Sequence, residues 1–288
     1  MNPIDICLKN EYLTVRISTL GAEMTSIQNT DGEELLHQDD MIFWNDHAPV
    51  LFPICGTPIG DKITVDGVSY PMQSHGFARC SEFDVMESSD DLAVFSLVSD
   101  EESKKVYPYD FELIITYKLL GKAIDISYEV INDGDRDMYF SIGSHEGYII
   151  LEGLSEYEIH FEKEESKKPY IFETRKTPDK SIETRDGHSV LRLSNELFED
   201  SVTVVYETPD SDVVYLRNKD GKDKIRVEFE DFDNLFIWSC PMSQFVCIEP
   251  WCGTAEFGEA PNDISSKEYI QKLEPGAQFE RHHIITVM

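Results

Sequence analysis

Basic residues are scarce in this chain. Its 25 Lys and Arg stand against 56 Asp and Glu, a formal charge of −31. Binding a phosphate backbone or an anionic lipid surface relies on cationic neutralisation, so nucleic acid and membrane partners are excluded. A surface of this sign favours neutral or cationic ligands, and a bound anion would need a local cluster of Arg or Lys. The same charge also does a bland job, keeping a protein soluble, and it supports no finer conclusion about function.

Other features are missing as well. The six cysteines, at 7, 55, 80, 240, 247 and 252, form no Cys-x-x-Cys pair, which excludes a zinc ribbon and a thioredoxin-type redox motif. They are too sparse for a disulfide scaffold in 288 residues. The segment Met1-Asn2-Pro3-Ile4-Asp5 lacks the basic start and apolar run of a signal peptide. No stretch approaches the roughly 18 apolar residues that suggest a membrane span, and no Asn-x-Ser/Thr acceptor occurs. The expectation is a reduced, cytoplasmic protein. There is no His-Glu-x-x-His, no Gly-rich phosphate loop and no Gly-x-Ser-x-Gly elbow, so neither a metal nor a nucleotide cofactor is indicated.

What is present is a period of two. Phe111, Leu113, Ile115, Tyr117 and Leu119 alternate with Glu112, Ile114, Thr116 and Lys118; Ile124, Ile126, Tyr128 and Val130 alternate with Asp125, Ser127 and Glu129. Ile225, Val227 and Phe229 follow the same rule. Strand side chains point to opposite faces in turn, so each run has one wet face and one buried face. Asp-Gly pairs at 31–32, 66–67, 133–134, 186–187 and 220–221 stand between such runs and suit the positive φ of tight hairpins. Helical periodicity is confined to a short stretch from Ser266 to Leu273, closed by Pro275-Gly276. No crossover helix separates successive strands, which argues against Rossmann and TIM-barrel folds. Glu162 to Lys180 reads as a long polar loop. With 41% hydrophobic residues there is ample core material, and the expected architecture is all-β: one large antiparallel β-sandwich over residues 1–288, with few short helices.

Three segments carry more chemistry than a scaffold needs. In Gln73-Ser74-His75-Gly76-Phe77-Ala78-Arg79, a histidine beside glycine can present its ring while the backbone approaches a ligand closely. The alternative is a loop whose His75 and Arg79 hydrogen-bond locally. In Ser141-Ile142-Gly143-Ser144-His145-Glu146-Gly147-Tyr148, His145 sits among small residues, as a proton donor or as a satisfied histidine at a strand end. Glu146 reads as a solvent or rim residue. In Phe245-Val246-Cys247-Ile248-Glu249-Pro250-Trp251-Cys252-Gly253, an apolar strand ends in a lone carboxylate. Burying that charge is costly unless it is paired or functional, and desolvation makes it a stronger base. Trp251 would offer a platform for the apolar face of a sugar; a structural role, tying down a loop, is the competing account. His282-His283 falls in an alternating strand, so the pair cannot chelate one metal, and His37, His47, His160 and His188 read as surface or loop residues.

Taken in order, these segments resemble the aldose 1-epimerase (galactose mutarotase-like) family, especially its LacX-like branch. The match begins at Leu20-Gly21-Ala22-Glu23-Met24-Thr25-Ser26-Ile27 and continues through Ala48-Pro49-Val50-Leu51-Phe52-Pro53-Ile54-Cys55-Gly56. The His75 and His145 segments follow, then Cys247 to Gly253 and Leu273-Glu274-Pro275-Gly276. The resemblance implies interconversion of the α and β anomers of a free monosaccharide, without a cofactor, by a monomer or homodimer. It gives Glu249 the role of base towards the C1 hydroxyl, His145 that of acid towards the ring oxygen, and His75 a hydrogen bond to the sugar. Arg79 and Asp200 are expected substrate contacts on the same ground. Thr57 stands where the family often has a sugar-binding arginine. A non-catalytic sugar-binding protein and a hexose-phosphate mutarotase are the rival expectations.

Overall fold

The computed structural model describes residues 3–38, 42–172, 189–256 and 263–288. A three-stranded sheet of β1 (Asp5–Lys9), β2 (Thr14–Ser18) and β3 (Met24–Gln28) precedes a hairpin of β4 (Lys62–Val65) and β5 (Val68–Pro71). A nine-stranded sheet then gathers β6 (Asp84–Ser88), β7 (Leu92–Val98), β8 (Phe111–Leu120), β9 (Ala123–Asn132), β13 (Tyr157–Phe161), β15 (Val190–Arg192), β17 (Val213–Asn218), β18 (Asp223–Glu228) and β22 (Gln278–Val287). Its spatial order is β15-β13-β17-β18-β22-β9-β8-β7-β6. A six-stranded sheet contains β11 (Ile142–Gly143), β12 (Glu146–Ile149), β14 (Tyr170–Phe172), β16 (Thr203–Glu207), β19 (Asn234–Trp238) and β20 (Phe245–Cys252). Here β11 and β12 both pair with β20, followed by β19, β16 and β14. A short ladder of β10 (Met138–Phe140) and β21 (Gln271–Leu273) completes the set. All pairings between these strands are antiparallel. Helices among the described residues are single 3-10 turns, and none is long and apolar enough to cross a membrane.

The period of two is realised as read. Every second residue of β8 and β9, from Phe111 to Leu119 and from Ile124 to Val130, is buried. Together with Ile225, Val227 and Ile285 of neighbouring strands, they form one wall of the main core. The inner face of the six-stranded sheet forms the other. Register aligns Val204 with Ile237, Ile237 with Ile248, and Ile248 with Glu146 across four strands, and the three apolar members belong to the same core cluster. The two sheets thus pack face to face, each burying one side of its pleat.

Glu146 is the exception in that row and a correction to the rim placement. Only 2% of it is exposed. Its Oε2 accepts a hydrogen bond from Ser144 Oγ at 2.8 Å, and its Oε1 lies 3.2 Å from Nε2 of the buried His283 on β22. The His283 ring in turn stacks with Tyr128. The sequence pattern missed this pair because its members lie on different sheets. Truncating one partner of a buried pair leaves the other without its counter-group. Glu146→Ala is therefore expected to lower unfolding free energy by about 3 kcal/mol, read from urea denaturation; an unchanged midpoint would remove the pair from the stabilising set.

Other expectations are revised. No helix spans Ser266 to Leu273: a 3-10 turn covers Ile264–Ser266, Lys267 is extended, and Gln271–Leu273 pairs with β10. Burying Leu273 in that ladder outweighs weak helical periodicity. Asp66-Gly67 and Asp220-Gly221 do join paired strands, β4–β5 and β17–β18. Asp133-Gly134 does not: there Asn132 Nδ2 donates to the carbonyls of Arg136 and Leu273, and the chain leaves the sheet. Asp186-Gly187 and His188 lie outside the described residues, and the polar stretch from Glu162 is interrupted by β14. His37 is buried, not on the surface; Trp44 covers its ring.

Candidate active site

The outer face of the six-stranded sheet is built by the same alternation, one residue out of phase. Tyr170, Val205, Phe236 and Glu249 form one row across four strands; Phe172, Thr203, Trp238, Cys247 and Gly147 form the next. β20 does not stop at the carboxylate, as the sequence reading has it, but runs on to Cys252. Pro250 is accommodated because its carbonyl is the group in use, accepting from Ser144 N–H at 3.2 Å. On the other side of β20, Gly143 pairs with Trp251 and Glu146 with Ile248. Continuing that register places His145 opposite Glu249. Their side chains meet: His145 Nε2 lies 3.4 Å from Glu249 Oε2.

Above this pair is a cavity of about 410 Å³. Its walls include Trp44, Trp238 and Trp251, its polar rim Asp46, Thr57 and Arg79, and its edge His75. Glycine at 147 makes room for one wall, since a Cβ there would lie 2.7 Å from the Trp44 ring. Trp44 stacks on His145 at 4.9 Å between centroids, and Trp251 lies flat on Phe236 at 3.7 Å. Trp251 Nε1 donates to the Ser144 carbonyl, tying the histidine turn to β20.

His75 reaches the cavity on a strained turn. Both His75 and Gly76 have positive φ, 62° and 74°, and the turn is clamped against the segment after Phe52. His75 N–H donates to Gly56 O, Gly56 N–H donates back to His75 Nδ1, and Phe52 N–H donates to His75 O. Because Nδ1 accepts, the ring proton resides on Nε2. The His75 ring stands edge-on to His145 at 5.2 Å and to Trp251 at 5.8 Å. Glu23 anchors the backbone just after Asp46, its Oε1 accepting from the N–H groups of His47 and Ala48. Arg79 Nη2 pairs with Asp46 Oδ2 at 2.5 Å.

Burial dominates the electrostatics. It pushes the Glu249 carboxyl well above its usual range, and the neighbouring Glu146 charge pushes the same way. It drives His145 well below the ordinary histidine value, helped by His75 and the Arg79 guanidinium. Burial and Arg79 lower His75 to about 3. Each shift favours the neutral form of its group, so the buried acid–base pair resists net charge. With one proton shared by the two, these directions place it on Glu249 and leave His145 neutral, and moving it to His145 creates an internal ion pair without changing the net charge.

The structure therefore brings together Glu249, His145, His75, Arg79 and Trp251 from three distant stretches of the sequence. It does not bring in Asp200, which is exposed in a 3-10 turn with φ 61° and is not among the cavity-lining residues. Trp44, Asp46, Thr203 and Trp238 line the cavity without having been singled out. An aromatic and a carboxylate in Phe43-Trp44-Asn45-Asp46, a stretch with no alternation, were the available signal for the first two. Thr57 also lines the cavity, with its hydroxyl 2.8 Å from that of Ser74. Among the described residues, His145, Cys247 and Glu249 place atoms suited to a metal within 4.8 Å of one another.

Comparison with known proteins agrees over nearly the whole chain. Residues 5–286 match the family model described as Aldose 1-epimerase. The chain is 33% identical to the plasmid-borne protein LacX of Lactococcus lactis subsp. lactis, with 98% of each chain covered. Among solved structures, a galactose mutarotase related enzyme from Lactobacillus acidophilus superposes with a TM-score of 0.91 at 31% identity, covering 99% of this chain and 97% of its own. A galactose mutarotase-like protein from Lactobacillus casei gives 0.92 at 27% identity, covering 99% and 100%. With the sandwich, the ordered motifs and this coverage in agreement, the chain belongs to the aldose 1-epimerase family.

Proposed function

We propose that the protein interconverts the α and β anomers of a free, unphosphorylated hexose. The observation that carries this is the buried cross-strand pair Glu249–His145 beneath a tryptophan-walled cavity. Opening a cyclic hemiacetal removes a proton from the C1 hydroxyl and delivers one to the ring oxygen. Both oxygens are bonded to the same carbon, so acid and base must be neighbours, and these two are 3.4 Å apart. The step starts once the shared proton has moved from Glu249 to His145: Glu249 then accepts the hydroxyl proton while His145 gives its own to the ring oxygen. The C1–O5 bond breaks and an open-chain aldehyde forms. Rotation about C1–C2 then exposes the other carbonyl face, and the same two groups reverse roles to close the ring. No proton is gained or lost over the cycle, so the pair regenerates itself.

The walls and rim fit the substrate class. Tryptophan faces suit the C–H surface of a pyranose, and Asp46, with the Nε2–H of His75, supplies polar contacts. Arg79 is the one cation among the described lining residues, and Asp46 already neutralises it. A phosphate would have no free guanidinium to meet, which favours a neutral sugar. All six cysteines are free thiols, which supports action in a reducing compartment such as the cytoplasm. Fresh α-galactose, α-glucose and glucose 6-phosphate, followed by polarimetry with and without protein, test the proposal. Faster decay is expected for a neutral hexose and little for the phosphate. Tight sugar binding with no acceleration across the panel would replace it with a binding function.

A further inference from the structure

Cys247 and Glu249 are two residues apart on β20 and therefore project to the same face, with His145 across from Glu249. The thiol sulfur, an imidazole nitrogen and a carboxylate oxygen lie within 4.8 Å of one another, and all three residues are buried. Among the described residues, His145 Nδ1 and Glu249 Oε1 find no hydrogen-bond partner. We propose that His145, Cys247 and Glu249 form a reversible binding site for a zinc-class divalent cation, and that occupancy silences the acid–base pair.

The donor set selects the metal. Calcium and magnesium take oxygen ligands, whereas one nitrogen, one sulfur and one oxygen suit a borderline-soft ion with tetrahedral preference. Donors on one such ion sit about 3.3–3.7 Å apart, given metal–ligand bonds of about 2.0–2.3 Å. His145 Nε2 and Glu249 Oε2 already meet that spacing at 3.4 Å, so the thiol side is the one that must close in. Three protein ligands leave a fourth position for water or a sugar hydroxyl from the cavity. The thiol proton leaves to solvent as the ion binds. The formal charge of −31 raises the local concentration of divalent cations around the chain. A bound ion takes the lone pairs with which Glu249 and His145 move protons, so binding and turnover exclude each other.

The inhibition part of this inference rests on the epimerase reading; the binding part does not. Cobalt(II) serves as the spectroscopic probe, because a thiolate ligand gives it a charge-transfer absorption. The full-length protein is expected to bind one equivalent of cobalt with that band, and zinc should displace it. Zinc should also stop mutarotation, with recovery on adding a chelator. Cys247→Ala, whose side chain is outside the proposed proton transfers, should keep its activity without metal and lose the band. Its half-inhibiting zinc concentration should rise at least about 100-fold, beyond the cost of most outer-shell changes. Cys247→Ser serves the same comparison if the alanine variant does not fold. Absence of the band in the parent protein, or the same band and inhibition in the variants, overturns the proposal. Metal binding through Cys247 in a protein with no mutarotation would leave the site standing and remove the epimerase reading instead.

Discussion

Glu249→Gln is expected to leave the fold intact and slow the mutarotation of a fresh α-hexose by about 10²–10⁴-fold. Glutamine matches the carboxylate in size, so the packing against Phe236 and His145 persists. It offers no basic oxygen, so the C1 hydroxyl keeps its proton and the ring stays closed. Stability should hold or rise, because burial already opposes the charged form of Glu249 and the substitution removes that opposition. His145→Gln should fall into a similar range. Since the two groups hand protons to one substrate in one step, the double variant should be little slower than the worse single. Polarimetry for turnover and thermal unfolding for stability separate the effects. A Glu249→Gln protein with parental rates would end the assignment of the base.

A second large effect is expected at Gly76. A Cβ there would lie 2.1 Å from the Phe52 carbonyl oxygen and 2.4 Å from its carbon, and these are backbone atoms that cannot swing aside. The φ of +74° adds a penalty of its own for any L side chain. Gly76→Ala must either open the His75 turn or displace the segment after Phe52, and both carry cavity residues. The expected loss is about 2–4 kcal/mol of stability, from strain and clash together. Because the same turn positions His75, sugar affinity should fall with it. Gly67→Ala is the natural control: its φ is +77°, yet nothing lies within 4 Å of the added carbon. Equal urea midpoints for the two variants would show that the clamp on Gly76 carries no energy.

The all-β architecture was legible because alternation is a local property. Phe111 to Leu119 and Ile124 to Val130 announce their buried faces without reference to any other part of the chain. Glu249 and His145 stand out for another reason: the first is a lone carboxylate in an apolar strand and the second a histidine among small residues, and the pattern alone leaves a structural role open to each. Their meeting was not legible from pattern, because it depends on β11, β12 and β20 pairing across a gap of about a hundred residues. The ordered resemblance supplied it. Glu146 misled for the same reason, since its partner His283 arrives from the opposite sheet near the far end of the sequence. Trp44 and Asp46 carry no signal of this kind because loops have no period, and the resemblance that points to Asp200 does not fix where its turn faces.

The phase of β20 has a consequence for how this protein can change. Odd-numbered positions from Phe245 to Trp251 face the cavity side, where they meet Trp44, His145 and Phe236. The even-numbered Val246, Ile248 and Cys252 belong to the main core. Variation along one short strand therefore separates by parity into two nearly independent channels, one touching the side that carries Glu249 and the cavity wall at Trp251 and the other how firmly the sheets hold together. Substitution at Trp251 reshapes the cavity wall on a constant scaffold, whereas the even positions adjust robustness without rewriting the chemistry.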